Sequence, residues 1–129
     1  MTPRPVRIVL GAAADPISRA NARLLASEWP GEVCATVEWP ETAASWLRQA
    51  RRFTAPAPDA WLVTGTPAGW VGMGRRLAYS TNWSAARTVA TAGLAGPLLI
   101  AAGGVDTFDG LRGAYPDGTL WAISRTLLV

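Results

Sequence analysis

The chain has no histidine and no lysine, and only one cysteine, Cys34, among its 129 residues. Each absence removes a class of chemistry. Without histidine there is no Ser-His-Asp or Cys-His nucleophile and no imidazole ligand for a metal, and a lone thiol cannot build a thiolate cluster. No metal site is expected. No intrachain disulfide can form, so cysteine usage leaves the redox compartment unread. Cys34 sits in an apolar, strand-like run, where a small buried hydrophobe is the ordinary role. Long apolar stretches are missing too: nothing approaches the roughly 18 residues of a membrane helix, and no membrane partner is expected.

Charge is sparse. Charged residues make up 16 % of the chain, and twelve arginines against nine acids give a net charge of +3. The arginines run from Arg4 to Arg125, with short pairs at Arg51-Arg52 and Arg75-Arg76. Nucleic-acid binding calls for basic side chains gathered on one face, so this diffuse pattern argues against it. Guanidinium groups are still suited to two-pronged recognition of carboxylate or phosphate.

What is present is apolar. A hydrophobic fraction of 50 % excludes a disordered composition. A chain of this size hides about two thirds of its unfolded surface, enough for one domain over residues 1–129 without metal or disulfide. Arg4 and Arg7 precede an apolar run that ends in small residues, the layout of a secretory signal, but the run is only about seven residues long. It reads equally well as a first buried strand. The expectation is a soluble, cytoplasmic domain.

Residues 6–10 form that strand, and Asp15-Pro16 opens a helix with a capping side chain before a proline in the first turn. Ile17, Ala20, Leu24 and Leu25 mark its apolar face, with Arg19 and Arg23 directed elsewhere. Residues 33–37 are a second strand, closed by Trp39-Pro40. Glu41-Thr42 opens a helix in which Ala43, Trp46, Leu47, Ala50 and Phe53 recur at helical spacing, and residues 60–63 are a third strand. Three glycines over residues 68–77 predict a loop before a short helix, because glycine costs about 1 kcal/mol inside a helix. Asn82 or Ser84 caps a further helix running to Ala92. Residues 97–102 are a late strand, residues 105–114 hold a helical turn, 116–118 is a turn, and 119–123 is a last strand.

Alternating short apolar strands and amphipathic helices predict an α/β domain. Its architecture is three-layered and Rossmann-like or flavodoxin-like, a parallel sheet of about five strands with helices on both faces. In such sheets ligands gather outside the carboxyl ends of the strands. That fixes four loops to inspect, 11–15, 38–42, 64–69 and 103–109.

Small residues at 11–14 would let backbone amides approach a ligand, with Asp15 either capping the helix or touching the ligand. Thr64, Gly65 and Thr66 supply hydroxyls and open backbone directly after a strand, the best anion cradle in the chain. Neither nucleotide fingerprint is met: the glycines at 69, 72 and 74 do not follow G-x-G-x-x-G, and no G-K-[ST] occurs. Gly103, Gly104 and Asp106 follow the late strand, with Asp109 close behind, and no cofactor is indicated.

Seven tryptophans, at 29, 39, 46, 61, 70, 83 and 121, exceed what a core this small is expected to bury. Trp46 and Trp61 fit the core, whereas Trp39, Trp70 and Trp83 flank the loops. Three functions follow. The domain binds an anionic or nucleotide-like small molecule at its strand ends; or a Trp- and Arg-rich surface makes a homo-oligomer or docks a protein partner; or a histidine-independent enzyme uses Asp15, Asp106 or Asp109, with Tyr79, Tyr115 or hydroxyls in support.

Overall fold

The computed structural model describes residues 6–91, 94, 107–114, 117 and 119–123. Six strands, β1 (Arg7–Ala13), β2 (Glu32–Trp39), β3 (Ala60–Thr64), β4 (Thr88–Ala90), β5 (Arg112–Ala114) and β6 (Leu120–Ala122), form one sheet in the order β2-β1-β3-β4-β5-β6. Every neighbouring pair is parallel except β5 and β6, which are antiparallel. The α/β class predicted from the sequence is present, with an antiparallel strand added at one edge. β1 explains why its residues read as an unbroken apolar run: six of its seven side chains are buried, as a central parallel strand covered on both faces requires.

Three helices cover the sheet, α1 (Pro16–Glu28), α2 (Leu47–Thr54) and α3 (Pro67–Ser80). Ala22 of α1 packs with Leu10 and Ala12 on one face. On the other, α2 and α3 enclose a larger core that includes Val9, Trp39, Phe53, Trp61, Val63, Trp70, Met73, Leu77 and Phe108. This split follows from topology: the chain steps from β1 to β2 in one direction and from β2 to β3 in the other, and right-handed crossovers then fall on opposite faces.

Several elements differ from the sequence reading. α1 turns Ser18, Ala22, Leu25 and Ala26 inward, while Ile17 and Leu24 are 75 % and 57 % exposed. The contact with the sheet is made by Ser18, Ala22, Ala26 and one large aliphatic, Leu25, while Ile17 and Leu24 are left outside. α2 begins at Leu47 rather than Glu41, because residues 40–46 are held in an irregular loop. The Trp46 indole donates to the Pro40 carbonyl at 2.9 Å, and the Ser45 hydroxyl accepts from the Leu47 amide at 3.1 Å.

α3 is one continuous helix from Pro67 to Ser80, where a loop before a short helix was predicted. Its glycines are where rings press on the backbone: a Cβ on Gly72 would lie 2.6 Å from the Trp46 ring, one on Gly69 would lie 2.9 Å from Trp39 Cδ1, and one on Gly74 would overlap Phe108. The propensity loss is offset by the apolar area of those rings. The predicted helix to Ala92 is only a single 3-10 turn, Ala85–Arg87, followed by β4. Thr88 and Val89 are β-branched and suit a strand, where they align with Trp61 and Leu62. The strand predicted at 97–102 lies outside the described residues. Residues 107–110 form a turn, and β6 falls within the predicted 119–123.

The tryptophans are corrected most. Trp39, Trp61, Trp70, Trp83 and Trp121 are buried, and Trp29 and Trp46 are half-buried, so the rings expected around the loops are interior. Trp70 has Trp39 at 5.3 Å, Phe108 at 5.7 Å and Trp83 at 5.8 Å between centroids. Trp61 stacks on Phe53 at 6.0 Å and donates to the Phe53 carbonyl at 2.8 Å, with Arg87 over its other side. Among the described residues, the indole N–H groups of Trp39, Trp70, Trp83 and Trp121 find no hydrogen-bond partner. A Trp-rich docking surface is therefore not what these residues make.

The core leaves no space at Gly11, where a Cβ would lie 2.6 Å from both Phe53 and Trp39. Replacing Gly11 by Ala lowers the unfolding free energy by about 1–3 kcal/mol, the usual range for overpacking, as read from urea denaturation.

Candidate functional site

Residues 11–13, read from the sequence as an open loop, belong to β1: Gly11 makes room for the Trp39 and Phe53 rings, and Ala12 packs with Leu10 and Ala22 on the opposite face. Asp15 caps α1: its two carboxylate oxygens accept from the Ser18 amide at 2.8 Å and the Ser18 hydroxyl at 2.7 Å. Those two bonds, the amide first, hold its pKa below the ordinary 3.8. The N-terminus of α1 is thus already satisfied, and a second anion there would meet the Asp15 charge.

The N-terminus of α3 is arranged differently. Thr66 occupies the cap position with extended backbone, but its side chain makes no bond to the helix. Its hydroxyl donates instead to Glu41 Oε1 at 3.0 Å, which ties the loop after β3 to the loop after β2. The Ala14 amide donates to the Trp39 carbonyl at 2.9 Å and joins the end of β1 to that of β2. Thr64 is buried, and its hydroxyl accepts from the Thr91 hydroxyl at 3.2 Å, bringing in the end of β4. Four strand ends that are distant in sequence meet along this one edge of the sheet.

Trp39 forms the floor. It is fully buried, and Gly65 and Gly69 lie against the ring edge that carries Nε1, for which no partner is found among the described residues. A Cβ on Gly69 would be 2.9 Å from Cδ1, and one on Gly65 would be 3.7 Å from Cζ2. Thr66 and Glu41 are exposed above it. The edge therefore offers an uncapped helix start and a buried donor beside an exposed carboxylate and hydroxyls.

Thr64, Gly65 and Thr66 are brought together as the sequence suggested. Glu41 lies within the 38–42 loop singled out from the sequence but was read there as a helix start, and Thr91, inside a segment that reads as helix, was missed. The signal that finds both is the strand-end rule applied to the true ends of β2 and β4. Gly103, Gly104 and Asp106 lie outside the described residues, and Asp109 is an exposed member of the 107–110 turn. Among the described residues no group of three or more Cys, Asp or Glu side chains is placed to hold a metal ion, and no helix is long and apolar enough to cross a membrane.

Two clefts are also present, the first bordered in part by Ala44, Ser45 and Trp46 of the same loop after β2 that carries Glu41. One, of about 560 Å³, is bordered by Trp46, Gly72, Arg75, Arg76 and Tyr79. Another, of about 600 Å³, lies over Val89, Arg112, Leu120 and Trp121.

No protein-family model matches the chain, and no curated protein matches it. Solved structures do. An extracellular ligand-binding receptor from Rhodopseudomonas palustris HaA2 superposes with a TM-score of 0.72 at 20 % identity, covering 84 % of this chain and 30 % of that one. The branched-chain amino acid transporter substrate-binding protein LivJ from Streptococcus pneumoniae, in complex with isoleucine, gives 0.70 at 13 % identity, covering 83 % of this chain and 30 % of that one. A substrate-binding periplasmic protein from Ralstonia solanacearum gives 0.61 at 12 % identity, covering 84 % of this chain and 31 % of that one. At these identities the likeness shows the fold. This chain spans about a third of the length of each.

The comparisons overturn the cytoplasmic expectation, since the proteins sharing this fold are described as extracellular and periplasmic. That expectation rested on reading residues 6–10 as a strand. They do lie at and within β1, but membership of a strand carries no information about compartment.

Asp15→Ala removes the α1 cap and lowers stability by about 1 kcal/mol near neutral pH. Because the folded-state pKa is depressed, the contribution is complete above the ordinary value of 3.8 and is lost as pH falls through the folded one. The gap between wild type and variant in urea melts should therefore shrink as the pH is lowered from about 7 into the acid range.

Proposed function

We propose that this domain is a small-molecule recognition module acting outside the cytoplasm, with its ligand seated at the carboxyl ends of β1, β2, β3 and β4. The observation that carries the reading is the contrast between the two helix starts. Asp15 closes the first, while Thr66 turns its hydroxyl to Glu41 and leaves the amides at the second without a side-chain cap.

A carboxylate fits those amides, favoured by the positive end of the helix dipole. Glu41, on the rim, fits a cationic or hydrogen-bond-donating group of the same molecule. The chemistry that satisfies both is a small zwitterion such as an α-amino acid. Two of the structural neighbours support the reading: one is described as a ligand-binding receptor, and the other was solved with isoleucine bound. The arrangement favours recognition over catalysis, because Asp15 is engaged by its own helix and the other side chains grouped here are hydroxyls and one carboxylate.

Thermal shift against a panel of L-amino acids, small carboxylates and phosphates tests it. A true ligand at a hundredfold excess over its Kd stabilises the fold by about 2.7 kcal/mol. Glu41→Gln should weaken the best amino acid about tenfold, equivalent to about 1.4 kcal/mol, while leaving the unliganded melting temperature in place. A panel that moves the melting temperature nowhere refutes the proposal. A phosphate that binds while every amino acid fails refutes the zwitterion and restores the purely anionic ligand.

A further inference from the structure

Among the described residues, only half of the sheet face that carries α1 is covered. Strand register traces one row of side chains across it: Leu10 beside Leu62, Leu62 beside Val89, Val89 beside Arg112, and Arg112 beside Ala122. Leu10 and Leu62 lie under α1. Beyond them the row is open, with Val89 37 % exposed and Leu120, on the same face of β6, 79 % exposed. The described residues of the β4-to-β5 connection, Leu94, Phe108 and Leu111, pack into the core on the opposite face. The cleft of about 600 Å³ lies on this uncovered floor.

α1 forms the wall beside it. Arg19 Nε reaches Glu38 of β2 at 3.1 Å, so that flank of α1 faces the β2 edge. Helical periodicity then puts Ile17, Asn21, Leu24 and Glu28 on the other flank, toward β4. This is why Ile17 and Leu24 are exposed: they border a place where a second helix would lie. Strands about 4.8 Å apart make β4, β5 and β6 about 10 Å wide between their outer axes, the width of one helix.

We propose that the occupant is α1 of a second copy of this chain, in a two-fold dimer where each copy lays its α1 on the other's floor. The surface is self-complementary, because every copy carries both the vacancy and a helix to fill it. The outermost side of α1 presents Ala20 and Ser27, small enough for close approach to a sheet. Ile17 and Leu24 of the two copies meet between the two sheets. The floor carries one charge, Arg112, and the flank of α1 ends in a carboxylate, Glu28; neither has a salt-bridge partner among the described residues. The ligand edge is not involved, since Thr66 and Glu41 are on neither surface.

Sedimentation velocity of the whole chain over a wide dilution series tests this. Wild type should be a dimer that dissociates on dilution. Leu24→Glu and Leu120→Lys, both at exposed positions, should each give monomer with an unchanged far-UV circular dichroism spectrum. Glu28→Arg should weaken the dimer about tenfold, and adding Arg112→Glu should restore it. A wild type that stays monomeric at every concentration overturns the proposal, as does a dimer that either Leu24→Glu or Leu120→Lys leaves intact. If one of those two variants loses its spectrum, the other and the charge exchange decide alone.

Discussion

The structure depends on one contact, the Trp39 ring held between strand and helix. Gly11 on β1 faces one part of the ring, Gly69 on α3 faces Cδ1, and Trp70 lies 5.3 Å away centroid to centroid. A side chain at Gly11 would press on Trp39 and on Phe53 of α2, and one at Gly69 would press α3 off the Trp39 ring and the loop after β2. With the ring in place, α3 starts where Thr66 can reach Glu41, and the ends of β2 and β3 are brought level. The large aromatic core and the ligand edge above it are therefore the same construction seen from two sides, one dry and one wet.

That construction divides the two faces of the sheet unequally. Large rings and glycines fill the side of α2 and α3, where burial is deep enough that four indole N–H groups find no partner among the described residues. On the other side, among the described residues, α1 alone covers the sheet, through Ser18, Ala22, Leu25 and Ala26. The burial available on the first side is sufficient to hold the sheet, which lets the second side keep apolar positions at Ile17, Leu24, Val89 and Leu120 exposed.

The β-α-β-α-β beginning was legible because its signals were local. Asp15-Pro16 announces a helix wherever it stands, and a buried parallel strand looks apolar throughout. The errors share one cause. Whether glycine at 69, 72 and 74 breaks a helix or admits a ring is decided by Trp39, Trp46 and Phe108, which arrive from elsewhere in the chain. The phase of α1 was misjudged similarly, since an aliphatic stripe shows that a face is apolar without showing what it packs against. Of the candidate site, the hydroxyls after β3 were visible as a run, while Glu41 and Thr91 became members only once β2 and β4 had their true ends.

The rings also set how the molecule comes apart. Phe53 of α2, Trp39 of β2, Trp70 of α3, Trp83 and Phe108 form a chain of neighbours with no centroid spacing above 6.4 Å. Moving one of them opens a void beside the next, so α2, α3 and the turn at 107–110 have no way to loosen separately. Amide protons across that layer should exchange as one cooperative unit, while α1, with its thin seam of alanines, breathes on its own.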